Sequence, residues 1–129
     1  MLVVDASVLA PALVDSGEDG HRFRARLRGE VVVGPDLLHI EVLSVVRRLL
    51  QAARLSPEQA AAAIEDLIAF PVRVYPTAPL LGRVWDLRDN LTAYDGCYAA
   101  LAEAIDAPLL TADRRLANAP GVRCTIEVL

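Results

Sequence analysis

Two short apolar runs near opposite ends of the chain each lead into an aspartate: Leu2-Val3-Val4 into Asp5, and Leu109-Leu110 through Thr111 and Ala112 into Asp113. Two further acids fall at informative places on helical patterns. Glu41 lies on the border of the apolar arc formed by Leu38, Val42, Val45, Val46 and Leu49, with Ser44, Arg47, Arg48 and Gln51 opposite. Asp95 belongs to a stretch, 93–106, that is apolar nearly all round with Glu103 the main exception, so an ionised carboxylate there requires a partner. Each acid also has a plainer reading. Asp5 and Asp113 suit helix N-caps or turns, Glu41 a solvated helix border, and Asp95 a capping box begun by Thr92. Taken together, four carboxylates gathered with no lysine to neutralise them would repel, and some would take up protons. A hard divalent cation, Mg2+ or Mn2+, resolves that repulsion because it prefers oxygen ligands and keeps several waters. Ser7 and Thr111 bring hydroxyls to the same two strand ends, either to orient the carboxylates or a water on the metal, or to cap helices locally.

Composition narrows the chemistry further. The thirteen basic residues are all arginine, which removes mechanisms that need a lysine, such as a P-loop or a Schiff base. Two histidines are too few for a histidine-rich zinc site, and His39 falls within the apolar arc, where it reads as a core or interface residue. Cys97 and Cys124 lack metal-pair spacing and read as small core residues in a reducing cytoplasm. Net charge is −4, which disfavours binding nucleic acid through overall charge but allows local basic patches. No apolar run approaches the roughly 20 residues of a membrane span, and the start shows no signal-peptide pattern. A cytoplasmic protein is expected.

The elements that must position these residues alternate in type. Strands are predicted at 2–5, 31–33, 72–75, 108–111 and 122–128. Helices are predicted from Ser7, over 21–29, 36–53, from Pro57 behind a Ser56–Gln59 capping box, from Thr77 to Arg88, over 93–106 and over 113–118. Residues 16–20 are expected to break the first two helices apart, and Pro11 to lie in the first turns of its helix. The alternation predicts one domain over 1–129, a three-layer α/β/α fold with a central, mainly parallel sheet. In such sheets ligands bind beyond the carboxyl ends of the strands, where Asp5 and Asp113 fall.

With these residues in place, the sequence resembles the PIN-domain nucleases, and in particular the VapC toxins of bacterial toxin–antitoxin pairs. The resemblance rests on four ordered blocks, "VVDASVL", "HIEVLSVVRRL", "TAYDGCYAALA" and "PLLTADRRLA", which span Leu2 to about Ala117. It implies a metal-dependent endoribonuclease, with Asp5, Glu41, Asp95 and Asp113 lining a site for one or two Mg2+ or Mn2+ ions. It also implies transfer RNA or other structured RNA as substrate, and a VapB-type antitoxin that wraps the toxin and blocks the acidic cleft.

An acidic chain must still attract a polyanion. Arg22 and Arg26 share one face of the predicted 21–29 helix, Arg24 and Arg28 another, and Arg47-Arg48 and Arg114-Arg115 lie near the acid-bearing elements. These are candidates for RNA phosphates, with solvated helix surface as the plainer reading. The apolar stretches "AAAAIEDLIAF" and "LLGRVWDL" offer helix faces for a homodimer, and Trp85 and Phe70 read as core or, alternatively, as interface anchors. Two other functions compete. A phosphatase of the haloacid dehalogenase type would need a second acid where Ser7 stands, and a lysine. A catalytically inactive PIN-like module that binds RNA or protein would not need all four acids.

Overall fold

The computed structural model describes residues 1–129. Five strands, β1 Leu2–Val4, β2 Val32–Pro35, β3 Val72–Tyr75, β4 Leu109–Thr111 and β5 Ile126–Val128, form one wholly parallel sheet in the order β3-β2-β1-β4-β5. They are connected by α1 Ala6–Val14, α2 Glu18–Leu27, α3 Leu38–Gln51, α4 Pro57–Ala69, α5 Leu81–Asp86, α6 Ala93–Ala104 and α7 Arg114–Ala117. The path from β1 to β2 to β3 moves outward to one side, and the long connection from β3 to β4 returns across the sheet. Right-handed crossovers therefore place α1–α4 on one face and α5–α6 on the other. Accordingly α1 packs on α2, α3 and α4, whereas α6 lies on β1, β2 and β4 with α5 against it. This is the three-layer arrangement that the alternating pattern predicts.

The central strand β1 is sealed on both faces, which explains its unbroken apolar run. The strand order reverses between β1 and β4, where Val3 pairs with Leu109 and Val4 with Leu110. Reversal points in open α/β sheets leave a crevice at the carboxyl ends. Asp5 and Asp113 border it, each as the N-cap of the helix that follows, α1 and α7. Gly34 brings a third element close. A Cβ there would come within 2.5 Å of Leu38 Cδ2, so the bare backbone of β2 lets the first turn of α3, with Glu41, pack directly above the strand end.

Several boundaries differ from expectation, each for a local reason. Helix α2 starts at Glu18, not His21, and Gly20 lies inside it. A Cβ at Gly20 would fall 1.9 Å from the Asp15 carbonyl oxygen, so this glycine permits a close approach instead of breaking the helix. Pro11 is the sixth residue of α1, beyond its first turn. A one-turn 3-10 helix, Ala78–Leu80, precedes α5, closed by Leu80 N–H donating to Thr77 O at 2.8 Å. Strand β5 starts at Ile126, not 122, because Arg83 binds the Gly121 carbonyl at 2.7 Å and the Arg123 amide donates to Glu103 Oε1 at 2.8 Å. Those side chains hold 121–123 against α5 and α6 before the ladder begins. Trp85 is 66% exposed. Leu80, Val84 and Leu87 form the inward stripe, which turns Trp85 out beneath the Arg88 guanidinium, 4.7 Å from the ring centroid. Phe70 is half-buried against the core. Both cysteines are unpaired thiols, Cys97 buried and Cys124 half-buried.

Candidate active site

Asp5 stands at the floor of the crevice, 5% exposed. Its Oδ1 accepts from the Ser7 amide at 3.0 Å and from the Ser7 hydroxyl; its Oδ2 accepts from Thr111 Oγ1 at 2.6 Å. The two hydroxyls are themselves fixed. Ser7 Oγ accepts from the Ala112 amide at 2.9 Å, and the buried Thr111 Oγ1 accepts from the Asp113 amide at 3.0 Å. A carboxylate offers about four lone-pair positions, so three donors leave one free, on Oδ2. Burial pushes the Asp5 carboxyl up to about 6 despite these donors, and the negative charge of Asp95 adds to the rise. N-capping of α1 and placement in the crevice are thus one geometry, because the β1 end and the α1 start coincide at Asp5.

The other three acids line the same open cleft, about 620 Å3 in volume, together with Ser7, Tyr98 and the arginines Arg47 and Arg48. Asp95 is the third residue of α6. Thr92 caps that helix by accepting from the Asp95 amide at 3.2 Å. The Asp95 carboxylate does not return a bond to the Thr92 amide, so the reciprocal capping box is incomplete. Burial, and next the charge of Asp113, raise its pKa. Glu41 accepts from the Tyr98 hydroxyl through Oε1 at 2.6 Å, and no protein donor reaches Oε2. Burial raises its pKa, with Asp95 again a repulsive neighbour. Asp95 is therefore electrostatically coupled to the other three acids.

Asp113 differs. Arg115 donates to it through its amide at 2.9 Å and its guanidinium at 3.3 Å, and holds the carboxyl below the usual range. The expectation of four acids without counter-charge is corrected here: arginine supplies it at one rim. No three of the acids close into a ready-made cation cage. The donor set nevertheless suits a hard cation. It is all oxygen, it keeps a free lone pair on Asp5 and an unpartnered oxygen on Glu41, and its like charges repel until a cation intervenes.

Of the arginines singled out for RNA, Arg22 pairs with Asp19 at 3.2 Å, and Arg26 is held by Glu30 at 2.7 Å and Glu127 at 2.8 Å. Neither lines the cleft, nor do Arg114 and Arg115, though Arg115 reaches its rim through Asp113. Arg47 and Arg48 do line it. Sequence reasoning missed Tyr98 and Tyr94 as cleft residues. Tyr98 lies three residues after Asp95 on α6, hence on the same face, which is the signal that could have placed it at the cleft; Tyr94, adjacent to Asp95, carried no such signal.

The PIN-domain profile matches residues 2–122. The chain belongs to the PIN-domain family. Within it, the chain is 41% identical over 128 residues to Ribonuclease VapC1 of Mycobacterium tuberculosis, covering 98% of this chain and 96% of that protein. Among solved structures, M. tuberculosis VapC20, described as a Sarcin-Ricin loop cleaving toxin, superposes with a TM-score of 0.68 at 19% identity, covering 91% of this chain and 93% of that one. VapBC2 from Rickettsia felis, solved bound to a DNA fragment from their promoter, gives 0.68 at 13% identity, covering 98% and 97%. These structural likenesses concern the PIN fold alone. No helix of this PIN domain is long and apolar enough to cross a membrane.

Proposed function

We propose that the chain is a metal-dependent endoribonuclease and the toxin of a VapBC-type toxin–antitoxin pair, active in the cytoplasm. The observation that carries this reading is the gathering of Asp5, Glu41, Asp95 and Asp113 around one cleft at the strand-order reversal, in a chain 41% identical to a VapC ribonuclease. Asp5 and Asp95 would hold Mg2+ or Mn2+ directly, and Glu41 and Asp113 would bind it directly or through water. A bound divalent ion supplies an activated water and neutralises charge building on the non-bridging phosphate oxygens. Ser7 and Thr111 keep Asp5 oriented. Glu41, with Oε2 unpartnered, is better placed to take a proton than Asp113, which Arg115 restrains. Arg47 and Arg48 draw the phosphates of a transfer RNA or other structured RNA to the cleft.

The partner in this reading is a VapB-type antitoxin, supported by similarity to the R. felis VapBC2 fold. A homodimer is also part of it, since the apolar side chains of Leu81 and Trp85 are exposed one turn apart on α5. The direct test is RNA cleavage by purified protein with Mg2+ or Mn2+. Cleavage should occur with either metal and disappear in Asp5→Ala and Asp95→Ala chains whose circular dichroism is unchanged. A folded wild type that cuts no RNA, or variants that cut as wild type does, contradict the reading. A wild type that binds RNA yet cuts it with neither metal, and binds equally well once the acids are removed, assigns instead a non-cutting module. An antitoxin-like reading frame immediately upstream of the gene is the accompanying observation for the toxin role.

A further inference from the structure

We propose that Tyr98 is a positioning residue for the cleft, a buried phenol that fixes Glu41 so that its second oxygen faces the cation site. The inference deepens the nuclease reading and rests on it. Tyr98 is 1% exposed, yet it lines the acidic cleft through its hydroxyl. Its ring is part of the main core, so the hydroxyl is held on a rigid support. That hydroxyl donates to Glu41 Oε1 at 2.6 Å, and it is the only protein donor to that carboxylate. A glutamate at the border of a helix has three rotatable side-chain bonds, and in α3 nothing else ties its end down. Tyr98 removes that freedom by occupying one oxygen, and leaves Oε2 as the oxygen available to the cleft.

The placement follows from helix geometry. Asp95 and Tyr98 are three residues apart on α6, hence on one face. A single helix thus delivers one acid and the phenol that holds another acid from α3. Partners of this kind commonly tune metal affinity by about 10- to 100-fold.

The test uses the full chain, with Mn2+ binding measured by titration calorimetry in the absence of RNA. Tyr98→Phe keeps the ring and removes only the hydroxyl, so it should unfold near the wild-type temperature in chelator. It should bind Mn2+ about 10-fold or more weakly, with a parallel loss of RNA cleavage. Introduced into a Glu41→Gln chain, which retains Asp5 and Asp95, the same change should cost less than about twofold, because the group it acts through is already altered. Wild-type Mn2+ affinity in Tyr98→Phe overturns the proposal, and so does an equal loss in both backgrounds. If the phenylalanine variant fails to fold, 19F spectra of a 3-fluorotyrosine-labelled chain decide. Its three tyrosines are assignable through Tyr75→Phe and Tyr94→Phe. The Tyr98 signal should shift with Mg2+ in wild type and stay fixed in Glu41→Gln; an unmoved wild-type signal overturns the assignment. A wild type that binds neither metal removes the nuclease reading and this one together, whereas normal wild-type binding with an indifferent Tyr98→Phe removes this one alone.

Discussion

In the proposed nuclease, Asp5 would meet two requirements that oppose each other: it stays inside the protein to sit at the crevice floor, and it would have to be ionised to hold a cation. Burial raises its carboxyl from 3.8 to about 6, so the folded chain binds that proton more tightly than the unfolded chain does. The sign follows from linkage. Protonated Asp5 favours folding, the contribution is complete below about pH 4, and it is lost as pH rises through 6, leaving a cost of roughly 3 kcal/mol at neutral pH. Asp5→Asn should therefore be more stable than wild type at pH 7 in chelator, by up to that amount, and gain nothing at pH 4. Thermal melts of both chains at the two pH values check this, since the difference cancels the carboxylates that arginines hold low, Asp113 among them. Thr111→Val should destabilise by about 1–3 kcal/mol, because it strips a donor from Asp5 and an acceptor from the Asp113 amide inside the protein; denaturant melts give the value. At this scale the acids were legible in the sequence, because each followed an apolar strand or interrupted an apolar helix. The bond from Tyr98 to Glu41 was not, since the two residues lie 57 positions apart and nothing local pairs a tyrosine with an acid on another helix.

Helix ends show where local signals fail. Helix α3 closes with the Arg54 amide donating to Leu49 O at 2.9 Å and the Ala53 amide to Leu50 O at 3.0 Å, the bonding of a Schellman turn. Its left-handed residue is Ala53, with φ 57°, a conformation glycine adopts freely and alanine does not. Because no glycine marks the end, the sequence pattern runs on to 53. Helix α6 ends in the same way on Asp106, φ 50°, and its predicted end is likewise late. Ala53 is exposed and remote from the cleft, so Ala53→Gly should stabilise the chain by up to about 1 kcal/mol with RNA cleavage unchanged; a lowered melting temperature would contradict the account of this turn. By contrast, the start of α4 was readable residue by residue. Ser56 and Gln59 form their capping box with bonds of 2.9 and 3.1 Å, ahead of Pro57 at the first position. The start of β5 was not readable, because long-range side chains, Arg83 and Glu103, decide where the ladder begins.

For the whole molecule, the order β3-β2-β1-β4-β5 does most to create the site. It sets β1 and β4 side by side although more than a hundred residues separate them, and aligns Asp5 with the Thr111–Asp113 turn. Alternating strands and helices made the fold class legible, whereas the outward turn of Trp85 depended on which side of the short α5 faces α6. That exposed surface carries its own prediction: Trp85→Glu should shift sedimentation from dimer to monomer while leaving the fold intact, and an unchanged sedimentation coefficient would remove α5 from the interface. For the proposed reaction the cleft must hold a divalent ion. Crystals soaked in Mn2+ and measured at an anomalous wavelength test this most directly. The predicted result is an anomalous peak in the cleft, within coordinating distance of carboxylate oxygens of Asp5 and Asp95 and absent in Asp95→Ala crystals. A cleft without a peak, in crystals of protein that still cleaves RNA with Mn2+, would contradict it.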